Sequence, residues 1–212
     1  FTPEDEEEAL ADFRSRLQAA LDETRGDRET GAQAQPPVEG TGVKPHLRTS
    51  INQAMVDEIY ETLTATPEGF TMHPKLAQQF ATRDKMYQEG EIDWALGEAM
   101  AYGSLLLEGR SVRLSGQDSR RGTFSHRHAT LVDYETSEEH TPLKELGKAH
   151  DSNFWVYDSL LSEYAVLGFE YGYSIANPTA LVLWEAQFGD FANGAQIIID
   201  QFIVAAKDKW DQ

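Results

Sequence analysis

The 212-residue chain contains no cysteine. That excludes disulfides, thiolate metal sites and a cysteine nucleophile, and it accords with a reducing cytoplasm. Cationic side chains are scarce: 18 Lys and Arg stand against 36 Asp and Glu, for a formal charge of −18. A phosphate backbone or an anionic bilayer needs a basic face, so nucleic acid and membrane are not expected partners. No apolar run approaches the roughly 18 residues that a membrane span requires. The opening Phe1-Thr2-Pro3-Glu4 has neither the basic nor the apolar region of a signal peptide, and it lacks an initiator Met. The chain reads as a piece of a longer protein. Core-forming residues are plentiful: 40% are hydrophobic, including ten Phe, eight Tyr and four Trp, enough for a folded domain.

Helical periodicity dominates the first half. Thr2 is placed to cap a helix with Pro3 in its first turn, and Leu10, Phe13, Leu17, Ala20 and Leu21 recur at helical spacing up to Arg25-Gly26. Residues 27–48 turn polar and rich in Gly, Gln and Pro, around Pro36-Pro37, and read as a linker. Ile51, Met55, Ile59 and Leu63 line a second helix. His73-Pro74 opens a third through Leu76, Phe80 and Met86. Asp93 caps a fourth, striped by Leu96, Ala99, Met100, Gly103 and Leu107. Core packing accounts for all of these stripes.

Strands and helices alternate after Gly109. Ser111–Leu114, residues 126–132 and Phe154–Tyr157 read as extended, Ala165–Tyr173 as a helix, Ala180–Trp184 as an apolar run of the kind buried in a parallel sheet, and Ala195–Ala206 as a closing helix. The alternation predicts an α/β fold, a mostly parallel sheet flanked by helices and preceded by a helical region. The expected divisions are residues 1–26 (amphipathic helix), 27–48 (linker), 49–90 (helical approach) and 91–212 (α/β domain).

Three segments carry more polar residues and glycines than packing requires. Residues 114–129, with Gln117 and the His126-Arg127-His128 triplet, begin where a strand ends, which is where open α/β sheets place ligands. Two His at i and i+2 on a strand would share a face. A zinc site would need further ligands, and His140, His150 or a carboxylate would serve only by a coincidence of the fold, so a metal-dependent hydrolase is the weaker alternative. In residues 157–173, Ser162 is a good cap and Glu163 stands in the first helical turn. That position suits a carboxylate aimed into a site, and equally one that merely complements the helix dipole. Residues 184–196 combine Phe188, Phe191 and two glycines as a candidate ring-binding loop. Gly189 to Gly194 is not a phosphate loop, since no Lys-Ser/Thr follows.

Taken together, RLSGQDSRRGTFSHRHA, SLLSEYAVLGFEYGYS and LVLWEAQFGDFANGAQIIIDQFI resemble the transketolase-like pyrimidine-binding domain of 2-oxoglutarate dehydrogenase first components. The resemblance runs from about Asp93 to Trp210. The acidic insert and Pro-Pro linker are similar to the actinobacterial type, in which acyltransferase sequences are fused to the first component. The resemblance implies a thiamine diphosphate enzyme of the tricarboxylic acid cycle. Such an enzyme decarboxylates 2-oxoglutarate and passes the succinyl group to lipoamide on a succinyltransferase partner, and it works as a homodimer. It also implies that Glu163, and not Glu170, hydrogen-bonds the cofactor's pyrimidine ring. Gln117 then matches a polar residue near the reacting centre, Phe191 (with Phe188 as substitute) packs on that ring, and His126 and His128 lie near the site. The family's Gly-Asp-Gly motif for Mg²⁺-diphosphate does not occur in this chain. The resemblance therefore places that metal on a domain outside these residues, with no metal ligand here and no activity expected of the fragment alone. The alternative is a non-catalytic binding or assembly module of the same fold.

Overall fold

The computed structural model describes residues 2–29 and 49–206. Contacts divide the chain into two units, Phe1–Thr49 and Ser50–Gln212. The described residues of the first form one helix, α1 (Pro3–Glu29), opened by a reciprocal cap in which Thr2 Oγ1 accepts from Asp5 N and Asp5 Oδ2 accepts from Thr2 N. The helix runs through Gly26, beyond its expected end, because one isolated glycine weakens a helix by only about 1 kcal/mol. The predicted linker lies outside the described residues from position 30 onward.

In the second unit the predicted helices appear as α2 (Gln53–Thr64), α3 (Pro74–Gln88) and α4 (Trp94–Leu107). Asn52 Oδ1 and Asp93 Oδ1 accept from Met55 N and Leu96 N, each satisfying an otherwise unpaired amide of a helix start. Three parallel strands follow: β1 (Val112–Gly116), β4 (Phe154–Asp158) and β5 (Leu181–Glu185), in the order β4-β1-β5. A short hairpin of β2 (Leu131–Val132) and β3 (Glu139–His140) and the helix α5 (Pro142–Ala149) connect β1 to β4. Helix α6 (Glu163–Ala176) connects β4 to β5. The predicted architecture, a helical region and then a helix-flanked parallel sheet, is the one observed.

Strand β1 divides two environments. Val112 and Leu114 point into the main core with Ile59, Leu96, Leu106, Leu143 and Phe154. Arg113 and Ser115, on the other face, meet α6. Helices α2 and α4 cross so closely that a Cβ on Gly103 would lie 2.7 Å from Ile59 side-chain carbons.

Three expectations need correction. The apolar run at 180–184 is not deeply buried. Its strand, β5, lies at the sheet edge among the described residues, with Leu181 exposed and the rest half-buried, while β1 takes the centre. Residues 126–130 are a loop, not a strand. Arg127 and His128 both donate their N–H to Arg121 O, and His128 has φ +47°, which breaks strand alternation. The closing helix is a succession of turns: a 3₁₀ segment (Gly189–Ala195), one α-turn (Gln196–Ile198) and a π-turn (Ile199–Ile203). Ile198 and Ile199 both pack toward Leu167 and Trp184, and the widened turn bonds Val204 N to Ile199 O.

Candidate active site at the carboxyl edge of the sheet

All three parallel strands end on one edge, and the conspicuous loops gather there. The last residue of β1, Gly116, lies so close to the end of β5 that a Cβ would stand 2.1 Å from Glu185 O. Only glycine lets the two strand ends approach in this way. The next residue, Gln117, donates its Nε2 to Glu163 Oε1 at 3.0 Å. Ser162 caps α6, its Oγ accepting from Ala165 N, and this fixes Glu163 in the first turn. The other Glu163 oxygen, Oε2, lies beside Gly194, where a Cβ would approach to 3.1 Å. Segments around residues 117, 163 and 194 thus converge on one half-buried carboxylate at a helix start.

Phe188 and Phe191 meet edge to face with centroids 5.9 Å apart, and Phe124 meets Phe188 likewise at 6.1 Å. Phe188 is 45% and Phe191 42% exposed, so Phe191 is a presented ring and not a core residue. Leu160 and Leu161, just before Glu163, are 82% and 84% exposed.

The histidines do not form a pair. The His126 ring packs by Phe124 and over Gly122, and its Nδ1 is buried without a protein partner. His128 instead lines a cavity of about 30 Å³ with Arg83, Glu98, Tyr102 and Arg127. Burial pushes the His128 imidazole below its usual range, favouring the neutral ring. Among the described residues no group of three or more His, Cys, Asp or Glu is arranged to hold a metal ion.

Arg127 has a role that sequence reasoning missed. It donates Nη2 to Glu98 Oε2 (2.9 Å), Nη1 to Glu185 Oε2 (2.7 Å) and Nη1 to Ser119 O (2.8 Å), tying the loop after β1 to α4 and to the end of β5. Burial alone would push this guanidinium down; the hydrogen bonds with Glu98 and Glu185 outweigh burial and pull it up. The available signals were a carboxylate ending an apolar strand, at Glu185, and an arginine between two histidines. Gln187 Nε2 on Asp118 Oδ2 (2.8 Å) and Asp158 Oδ1 on Arg120 N (2.9 Å) lock the same loop to the other strand ends.

The helix-flanked parallel sheet thus carries a helix-start carboxylate and paired aromatic rings at its carboxyl edge. The chain belongs to the family "transketolase, pyrimidine binding domain", which matches residues 90–212. It is 46% identical, over 212 aligned residues, to the 2-oxoglutarate dehydrogenase E1/E2 component of Corynebacterium glutamicum, with 99% of this chain and 17% of that protein covered. It is equally similar to the multifunctional 2-oxoglutarate metabolism enzymes of Mycobacterium sp. strains JLS and KMS, with 97% of this chain and 17% of those proteins covered. The chain therefore spans about 17% of the length of these curated relatives.

Proposed function

We propose that this chain is the aminopyrimidine-gripping part of the thiamine diphosphate site in a 2-oxoglutarate dehydrogenase first component. The observation that carries the proposal is the Gln117–Glu163 hydrogen bond at the carboxyl edge of the sheet, beside the half-exposed Phe188 and Phe191. The residues fit the group. An aminopyrimidine offers a ring nitrogen to a carboxylate and a flat face to an aromatic ring, and Gly194 leaves the approach to Glu163 Oε2 open.

When bound, thiamine diphosphate supplies an acidic thiazolium carbon and an electron sink for the decarboxylation of 2-oxoglutarate. The chain's own residues orient it and manage a proton. Gln117 occupies Glu163 Oε1, so Oε2 is the oxygen left for the pyrimidine nitrogen, and it holds or releases the proton there. Phe191, with Phe188 behind it, supports the ring. Of the two histidines His126, beside Phe124, is the one placed to meet the reacting side, while His128 stands behind it in its own small cavity, neutral because burial disfavours its charge. The Mg²⁺-diphosphate contacts belong to a domain outside these residues. The succinyl group passes to a lipoyl-bearing succinyltransferase component, and the full enzyme is a cytoplasmic homodimer, which gives the exposed Leu160 and Leu161 beside the site a covering surface.

The test is Glu163→Gln in the full-length enzyme. The variant should keep its fold and lose activity by about 10²–10⁴-fold, while Glu170→Gln loses far less. Equal and small effects of the two substitutions would remove Glu163 from the mechanism.

A further inference from the structure

The odd-numbered residues of β1 form a polar row beneath α6. Arg113 donates Nε to Glu170 Oε2 at 2.7 Å and Nη2 to Glu170 Oε1 at 2.9 Å, and Ser115 donates Oγ to Glu170 Oε1 at 2.8 Å. One step further along the same face, Gln117 reaches Glu163. Residues 163 and 170 lie two helical turns apart on one side of α6, so the strand holds the helix at two points along one line. The Arg113 guanidinium is also enclosed by rings: its carbon lies 4.6 Å from the Tyr173 centroid, 4.8 Å from Tyr157 and 5.4 Å from Phe169. Glu170 is 3% exposed.

Apolar packing under α6 is sparse. Leu167 is its one buried hydrophobic residue, in a small cluster with Ala195 and Ile198. Such a contact resists lifting of the helix better than it resists sliding or turning. A bidentate guanidinium–carboxylate fork is directional and fixes both. Buried ion pairs are weak sources of net stability and better attested as devices that specify one arrangement. Glu170 itself is a poor candidate for the reacting carboxylate, since Arg113 and Ser115 already engage both of its oxygens.

We propose that Arg113, Ser115 and Glu170 are positioning residues, a clasp that sets the height and rotation of α6 on β1 and thereby the place of the Glu163 carboxylate against the pyrimidine ring. The clasp rests on the reading of Glu163 given above, and its failure has a separate signature. The experiment uses the full-length enzyme saturated with thiamine diphosphate and reads deuterium exchange at the thiazolium carbon, kcat, KM and the thermal midpoint. Glu170→Asp withdraws the carboxylate by one methylene. Exchange and kcat should fall by about 10–100-fold, the scale of a displacement near 1 Å, with KM for 2-oxoglutarate little changed. Ser115→Ala, a milder change, should slow exchange by several-fold with the fold intact, so the test survives even if Glu170→Asp does not fold. Because the clasp acts through Glu163, the double variant Glu163→Gln/Glu170→Asp should be no slower than Glu163→Gln alone. Unchanged exchange in Glu170→Asp and Ser115→Ala, or losses that multiply in the double variant, overturns the clasp and leaves Glu163 standing. No effect of Glu163→Gln on exchange overturns the site reading and the clasp with it.

Discussion

The two faces of β1 lead to different kinds of interior. On the Val112–Leu114 face, α2, α4 and α5 enclose an apolar core in which Ile59, Leu96, Leu106 and Val112 have no exposure. On the Arg113–Ser115 face, α6 and the closing turns bury little apolar surface, hold a charged clasp, and leave Leu161 at 84%, Val204 at 71% and Phe169 at 61% exposure. The first face is built for stability. The second holds the candidate catalytic carboxylate and leaves large apolar side chains exposed. Stability and chemistry are thus separated by the thickness of one strand.

Substitutions on the two faces should therefore fail in different ways. The largest effect on stability belongs to Leu96→Ala, which should cost about 2–5 kcal/mol, the range for a fully enclosed leucine. Well below its lowered melting point its kcat should match that of the parent enzyme, and a reduced kcat there would break the separation. Gly116→Ala falls on the boundary, since its Cβ would drive β1 and β5 apart at Glu185 O. Overpacking of this kind costs about 1–3 kcal/mol, and here both melting point and activity should drop; loss of melting point alone would show that Gln117 tolerates the shift. Phe191→Ala should leave the melting temperature nearly unchanged and weaken cofactor binding by about 0.5–1.5 kcal/mol. Calorimetry that found intact affinity in a destabilised protein would pass the role to Phe188.

A smaller effect is expected from pH. The folded protein holds the His128 pKa below its ordinary 6.5. Above 6.5 the imidazole is neutral in folded and unfolded chains alike, and its contribution is fully present. As pH falls from 6.5 through the folded value, the unfolded chain takes up the proton first and stability is lost. His128→Gln should flatten that part of a stability-versus-pH curve, and an unchanged slope would exclude His128 as its source. The smallest expected effect is none: the 212-residue chain alone should bind Mg²⁺-thiamine diphosphate weakly or not at all, and a micromolar, Mg²⁺-dependent affinity by calorimetry would overturn the assignment of the diphosphate contacts to another domain.

What was legible in the sequence was local. Helical stripes, the Asp93 and Ser162 caps and the strand-ending Ser115-Gly116-Gln117 turn can be read because each depends on residues a few positions apart. The family resemblance set Gln117 and Glu163 near one site, while their hydrogen bond to each other emerges only from the fold. The illegible parts have no period. Nothing near Arg127 in sequence announces Glu98 and Glu185, and nothing near Arg113 announces Glu170. The histidine loop was misread as a strand because positive φ at Asp118, Ser125 and His128 occurs on non-glycine residues, which hide the turns. The edge position of β5 depends on strand order, which composition does not encode.

The order β4-β1-β5 also dictates a sequence of events in time. Val112 pairs with Phe154 and with Leu181, so the central strand is synthesised before either neighbour. Helices α2 to α4 can coil at once from near-neighbour contacts, whereas each parallel ladder needs a long loop closed first and the complete sheet needs two, a route that slows folding. Until then a strand with two unsatisfied edges waits in the nascent chain, where wrong pairing is easiest. Pulse-labelled amides should accordingly gain protection in α4 ahead of β1, and in β1 in two groups: those facing β4, such as Val112 N–H on Asn153 O, and those facing β5, the latter only once residues 181–185 have docked.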